Sequence, residues 1–321
     1  PIIESYVTFY ASDEGHTARA KRYDLAHFIE FLAEQKQKTD AQLKISDWSF
    51  QMTSTFVNSR IEKGESPSTI SRRLATLKHL GRTLADRVPG FINPAREVKA
   101  PTIPIVRPKA LSAEAIDALH QVAIPRHGAD KFSEIRNQAI LELLLSSGLR
   151  ADEVRCLRLN QMDLTDGWLK DVKTKGRRFR NVYLSSGVIP ILQTYLISRE
   201  NYLNENLKGF KLLTQYQKSQ LPVFVSIRGA TIDNSMSLAM APKTLWRIIN
   251  DLGNRAAASL PHGAFALHPH LLRHTFAHGL LNSSHDVRLV AQALGHSDVR
   301  TTMRYTERTD EELANAIEKM K

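Results

Sequence analysis

The stretch PGFINPAREVKAPTIPIVRP, residues 89–108, decides how this chain is organised. Pro89, Pro94, Pro101, Pro104 and Pro108 fall within it. Each lacks an amide donor and biases its predecessor toward extended backbone, so neither a helix nor a central strand runs through here. The segment reads as a Pro-rich linker over residues 96–108, joining an N-terminal domain, 1–95, to a larger C-terminal one, 109–321. A chain of 321 residues has room for about two domains of ordinary size.

Upstream of the linker the pattern is helical. Thr17 to Gln35 carries Tyr23, Ala26, Phe28, Phe31 and Leu32 on one broad stripe. A second helix starts at Ser66-Pro67, a favourable N-cap followed by proline at the first helical position. Its apolar face is Ile70, Leu74, Leu77, Leu80 and Leu84, and Arg72, Lys78, His79 and Arg82 lie opposite. A solvated charged face explains such a stripe as well as a phosphate-facing one does. No acidic residue interrupts Ser66 to Ala85, and that favours phosphate contact.

Downstream, helical spacing recurs at Ala113–Val122, Asn137–Ser147, Val188–Arg199, Lys243–Ala258, Pro269–Leu281, Asp286–Ala293 and Val299–Tyr305, with Gly148 as a helix stop. Trp168–Val172 and Phe179–Leu184 are β-prone runs around Lys175-Gly176 and predict one hairpin. Asn201 to Gln220 shows no clear period and reads as a surface excursion. The fold class expected is mainly α with a small antiparallel β-sheet.

Composition narrows the partners. There are 44 Lys+Arg against 33 Asp+Glu, a formal net charge of +11, and both domains share the excess. That balance favours a polyanion, nucleic acid before a membrane surface, and a two-domain clamp is the simplest geometry. The most apolar run, Ala139 to Leu145, contains Glu142 and is too short to span a bilayer. The opening residues lack the pattern of an export signal, and a lone cysteine, Cys156, makes no internal disulfide and reads as core filler. A cytoplasmic protein is expected, although Pro1 in place of a Met leaves trimming of the N-terminus open.

The chemistry lies in a scattered set of cations and one tyrosine. Phosphate-cradling, dinucleotide and nucleophile-elbow glycine motifs are absent. His270, His274 and His278 fall four apart, but Leu271 stands where a zinc-binding helix needs Glu, and no acid occurs from Gly253 to Ser284. No metal is expected. What remains is Gly148-Leu149-Arg150, the basic hairpin from Lys170 to Arg180, His270-Leu271-Leu272-Arg273, Leu294-Gly295-His296 and Tyr305. The hairpin adds Lys173, Arg177, Arg178 and Arg180 as candidate DNA contacts.

In that order the elements resemble the tyrosine recombinase (phage integrase) family, as a Xer-like or other simple two-domain member. The family pattern places Arg in G-L-R, Lys in a hairpin, H-x-x-R, L-G-H, and Tyr about nine residues later. Arg150, Lys175, His270 with Arg273, His296 and Tyr305 match it, and the likeness spans essentially the whole chain. It implies a helical, SAM-like core-binding domain followed by the catalytic domain. It also implies cleavage and rejoining of DNA strands through a 3′-phosphotyrosyl intermediate and a four-way Holliday junction, without metal, ATP or cofactor.

In that scheme Tyr305 is the nucleophile, Arg150 and Arg273 clamp the phosphate, and His270 is the base. Lys175, with Lys173 as rival, protonates the leaving oxygen, and His296 donates to the phosphate. His268 and His274 compete with His270, and Glu153 is expected to orient an arginine or histidine. Asp310 to Lys321 forms a helix expected to dock on a neighbouring protomer in a tetramer on a double-stranded DNA site. A type IB topoisomerase-like strand transferase and an inactive DNA-binding relative are the alternatives.

Overall fold

The computed structural model describes residues 2–10, 16–103, 110–126, 131–174, 178–226, 238–260, 266–296 and 300–303. The chain divides into two compact units, Pro1–Ile105 and Val106–Lys321.

The first unit is helical: α1 (Ile2–Tyr10), α2 (His16–Lys36), α3 (Phe50–Glu62) and α4 (Pro67–Ala85). Ser66 starts α4, its hydroxyl accepting the Thr69 amide at 3.3 Å, with Pro67 at the first helical position. Ile70, Leu74, Leu77, Leu80 and Leu84 are all buried, packed with Leu25, Phe28, Phe31, Phe56 and Trp48. Each such side chain contributes about 1.5–3 kcal/mol of burial. On α2 the buried face differs from the one expected. Tyr23 is 57% exposed and Ala26 is exposed too, while Leu25 and the carboxylate Asp24 point inward.

The second unit holds the larger core. Its elements are α5 (Ala113–Ala123), α6 (Lys131–Ser147), α7 (Ala151–Cys156), β1 (Met162–Asp163), β2 (Trp168–Lys173), β3 (Phe179–Tyr183), α8 (Ile189–Asn206), α9 (Gln215–Ser219), α10 (Pro242–Ala257), α11 (Pro269–Ser284), α12 (Val287–Leu294) and α13 (Arg300–Met303). Helix α6 runs through the centre, with Ala139, Ile140, Leu141, Leu143 and Leu144 inaccessible. Among the described residues the sheet has three antiparallel strands in the order β1-β2-β3. Leu169 pairs with Val182 and Val172 with Arg180, with a register shift between the two pairs. Asp171, at φ +52°, occupies that irregularity, and its amide donates to Asn181 Oδ1 at 3.1 Å.

Two expectations need correction here. Residues 201–220 are a surface excursion only in their second half, where Leu212 is 87% and Tyr216 75% exposed. Helix α8 continues to Asn206, Gly209 turns at φ +77°, and Leu203, Leu207 and Phe210 join the core. One apolar residue per turn, diluted by Asn, Glu and Lys, is enough to bury a helix that Tyr202 also anchors by stacking on Phe132 at 3.8 Å. Cys156, expected as core filler, is exposed at the end of α7. None of the described helices is long and apolar enough to cross a membrane.

Candidate active site

The site begins where α6 ends. Gly148 takes φ +60°, and a Cβ there would sit 2.3 Å from the Phe276 ring. A glycine is therefore required on two counts. Arg150 then opens the short helix α7, whose third residue, Glu153, reaches back to accept the Arg150 amide at 2.9 Å and its Nη1 at 2.8 Å. Arg150 thus stands three residues after the end of α6 and at the N-terminal end of α7, where the helix dipole is unfavourable to a cation, and Glu153 offsets that field.

Arg273 comes from the second turn of α11. His268 caps this helix through Nδ1, which accepts the Leu271 amide at 3.1 Å; the residue weighed as a rival base thus shapes the helix start. Arg273 is 4% exposed. Its Nη1 donates to the Gly148 carbonyl at 2.6 Å and its Nη2 to the Leu294 carbonyl at 2.7 Å. These two carbonyls end α6 and α12, so one guanidinium ties three helices together. Arg273 Nη1 also lies 3.9 Å from Glu153 Oε2, which places Arg150 and Arg273 beside the same carboxylate.

His296 follows the left-handed Gly295 that ends α12. Its Nε2 is 3.2 Å from Arg273 Nη2, and its Nδ1 is 2.8 Å from Thr302 Oγ1. A guanidinium has only donors, so Nε2 presents its lone pair to Arg273 and the ring proton lies on Nδ1, facing Thr302. With that tautomer Nε2 accepts from Arg273, and the donation to a phosphate expected of His296 needs the ring proton on Nε2 instead. His270 is exposed on the first turn of α11.

Glu153 is 6% exposed. Burial pushes its carboxyl up, but the charge of Arg180 and the amide and guanidinium of Arg150 outweigh burial and hold it below the ordinary carboxylate range. It stays ionised among three arginines.

Several expected DNA contacts are engaged elsewhere. Arg180 turns inward from β3 and meets both Glu153 oxygens, at 3.2 and 3.1 Å. Its parity with buried Val182 was the available signal. Arg72 is bound to buried Asp24 at 2.5 Å, and His79 Nδ1 is 2.7 Å from the Tyr6 hydroxyl. Neither is an uncommitted cation. Lys173, Arg178 and Arg82 are exposed and Lys78 is half-buried. Lys175, Arg177, Tyr305 and the segment from Asp310 to Lys321 lie outside the described residues. Thr302 was missed, since a buried threonine six residues after His296 carries no local pattern. Among the described residues, no three His, Cys, Asp or Glu side chains are grouped to hold a metal ion.

Paired arginines sharing one carboxylate, with the His296 imidazole against Arg273, in a mainly helical unit that follows a helical one along the chain, suit the binding of a phosphodiester. Residues 109–312 match the phage integrase family and residues 3–87 the phage integrase N-terminal SAM-like domain. The tyrosine recombinase XerC of Thermodesulfovibrio yellowstonii is 31% identical over 94% of this chain and 89% of its own length. The tyrosine recombinase XerD of Vibrio cholerae is 30% identical over 93% and 87%. A XerH site-specific recombinase, solved on a palindromic difH substrate after cleavage, shares the fold at a TM-score of 0.71 and 20% identity, covering 94% of this chain and 78% of that one. The chain belongs to the phage integrase family of tyrosine recombinases.

Proposed function

We propose that this chain is a site-specific DNA recombinase that cuts and rejoins strands through Tyr305. The supporting observation is the Arg150–Glu153–Arg273–His296 cluster, bonded through His296 to Thr302, three residues before the tyrosine.

The phenolic oxygen attacks phosphorus, passing its proton to His270, while Arg150 and Arg273 take the charge that grows on the non-bridging oxygens. The bond to the 5′ oxygen breaks, and Lys175 protonates that leaving group. The result is a 3′-phosphotyrosyl link and a free 5′ hydroxyl. Because one phosphodiester replaces another, a second 5′ hydroxyl can reverse the step without ATP, and exchange in pairs passes through a four-way junction. The fixed cations already oppose the transition-state charge, so the scheme needs neither a metal nor another cofactor.

Lys173, Arg178, Lys78 and Arg82 contact the backbone of double-stranded DNA in this reading. Residues 96–108 link the two domains, and Asp310 to Lys321 docks on a neighbouring copy in a tetramer. The protein acts in the cytoplasm, on the nucleoid. A type IB topoisomerase, the other reading, cleaves alone; the curated recombinases that match nearly the whole chain favour the first.

The test is a nicked suicide substrate carrying the cognate site, incubated with the parent and with Tyr305→Phe. The parent is expected to give a denaturation-resistant protein–DNA adduct and the variant none, in buffer with excess chelator. An equal adduct from Tyr305→Phe refutes the assignment.

A further inference from the structure

Glu153 offers about four lone-pair positions, and all four are occupied. Oε1 accepts from Arg150 Nη1 at 2.8 Å and Arg180 Nη1 at 3.2 Å. Oε2 accepts from the Arg150 amide at 2.9 Å and Arg180 Nη2 at 3.1 Å. Arg180 thus supplies both arms of a planar fork, the geometry in which guanidinium and carboxylate bind most strongly. Its side chain is only 9% exposed. Behind it lies Gly295, where a Cβ would come within 2.6 Å of Arg180 Nη1. A larger residue at this turn would have to push Arg180 aside.

A carboxylate at this place poses an electrostatic problem. It orients Arg150 and Arg273, yet its negative charge subtracts from the field that those two must offer a phosphate. Three guanidinium charges against one carboxylate leave two positive charges, the number that the clamp has by itself. Arg180 is the third, and burial keeps solvent from screening it.

We infer that Arg180 is a positioning residue of strand transfer: it cancels the charge of Glu153 and fixes the plane of its carboxylate, so that Arg150 and Arg273 meet the phosphate at full charge. Arg180 itself does not touch DNA. This inference rests on the recombinase reading above.

The test compares full-length parent, Arg180→Met, Arg180→Lys and the double variant Arg180→Met/Glu153→Gln. Adduct formation is timed at saturating nicked DNA, and DNA affinity is measured against salt. Arg180→Met is expected to slow adduct formation roughly 10–100-fold, with affinity and its salt slope unchanged. Arg180→Lys keeps the charge without the fork and falls between. The double variant should react faster than Arg180→Met alone, because the charge that needed cancelling is gone.

Parental adduct rates in Arg180→Met, with a salt slope reduced by about one, make Arg180 a phosphate contact and overturn the inference. A double variant no faster than Arg180→Met overturns it in favour of packing alone. If Arg180→Met loses its cooperative melt, Arg180→Lys decides, and an unchanged rate there is contrary. A parent that gives no adduct fails the recombinase reading and this inference together, whereas an adduct at equal rate in parent and Arg180→Met fails only the inference.

Discussion

Single residues show how the second unit spends its charge. Glu153 and Arg273 are buried and bonded to groups on separate elements, so removing either partner leaves an uncompensated polar group and costs more than an exposed ion pair would return. His120 is a milder case. Its Nδ1 is 2.6 Å from Glu142 Oε1. The hydrogen bond to Glu142 raises the imidazole pKa above its usual value, against a smaller lowering by burial. A folded pKa raised above the unfolded one means that the stabilisation is fully present below about pH 6.5, the unfolded value. It is lost as pH rises through the folded pKa. Urea unfolding of the parent should therefore show stability declining across that window relative to Glu142→Gln. Parallel pH profiles in the two proteins count against the pair.

At the scale of elements, the sequence was most legible where one period governs a whole segment. The apolar face of α4 follows from spacing alone, because it buries a regular stripe, and the two hairpin strands follow from β-prone runs around turn residues. Legibility failed where burial is sparse or polar. Residues 201–206 extend α8 with one buried leucine, Leu203, and Asp24 occupies a position on α2 where an apolar residue is the default. The candidate site was readable as a set of residue types in order, but not as contacts. Nothing local says that Arg180 pairs with Glu153, 27 residues away, or that Thr302 holds His296.

The turn after α6 links fold and site most tightly. Gly148→Ala must accommodate a Cβ at positive φ against Phe276, and its carbonyl anchors Arg273. A loss of roughly 1–3 kcal/mol is expected, read by denaturant unfolding at unchanged slope, together with slower adduct formation. A variant as stable as the parent contradicts the close approach.

Over the whole molecule, a basic chain with two helix-rich units matches the family in both parts, and the groups of the candidate site come from segments far apart in sequence: Arg273 binds the carbonyl of Gly148 across 125 residues. Such dispersion explains why no single short motif identifies the activity, while their order along the chain does. The central claim is that Tyr305 forms the covalent bond to DNA. Digesting the trapped adduct with protease and nuclease, then mapping the nucleotide-bearing peptide by mass spectrometry, tests it most directly. The account predicts one modified peptide, with a 3′-phosphonucleotide on Tyr305. A phosphonucleotide on any other side chain, or one attached through its 5′ end, contradicts it.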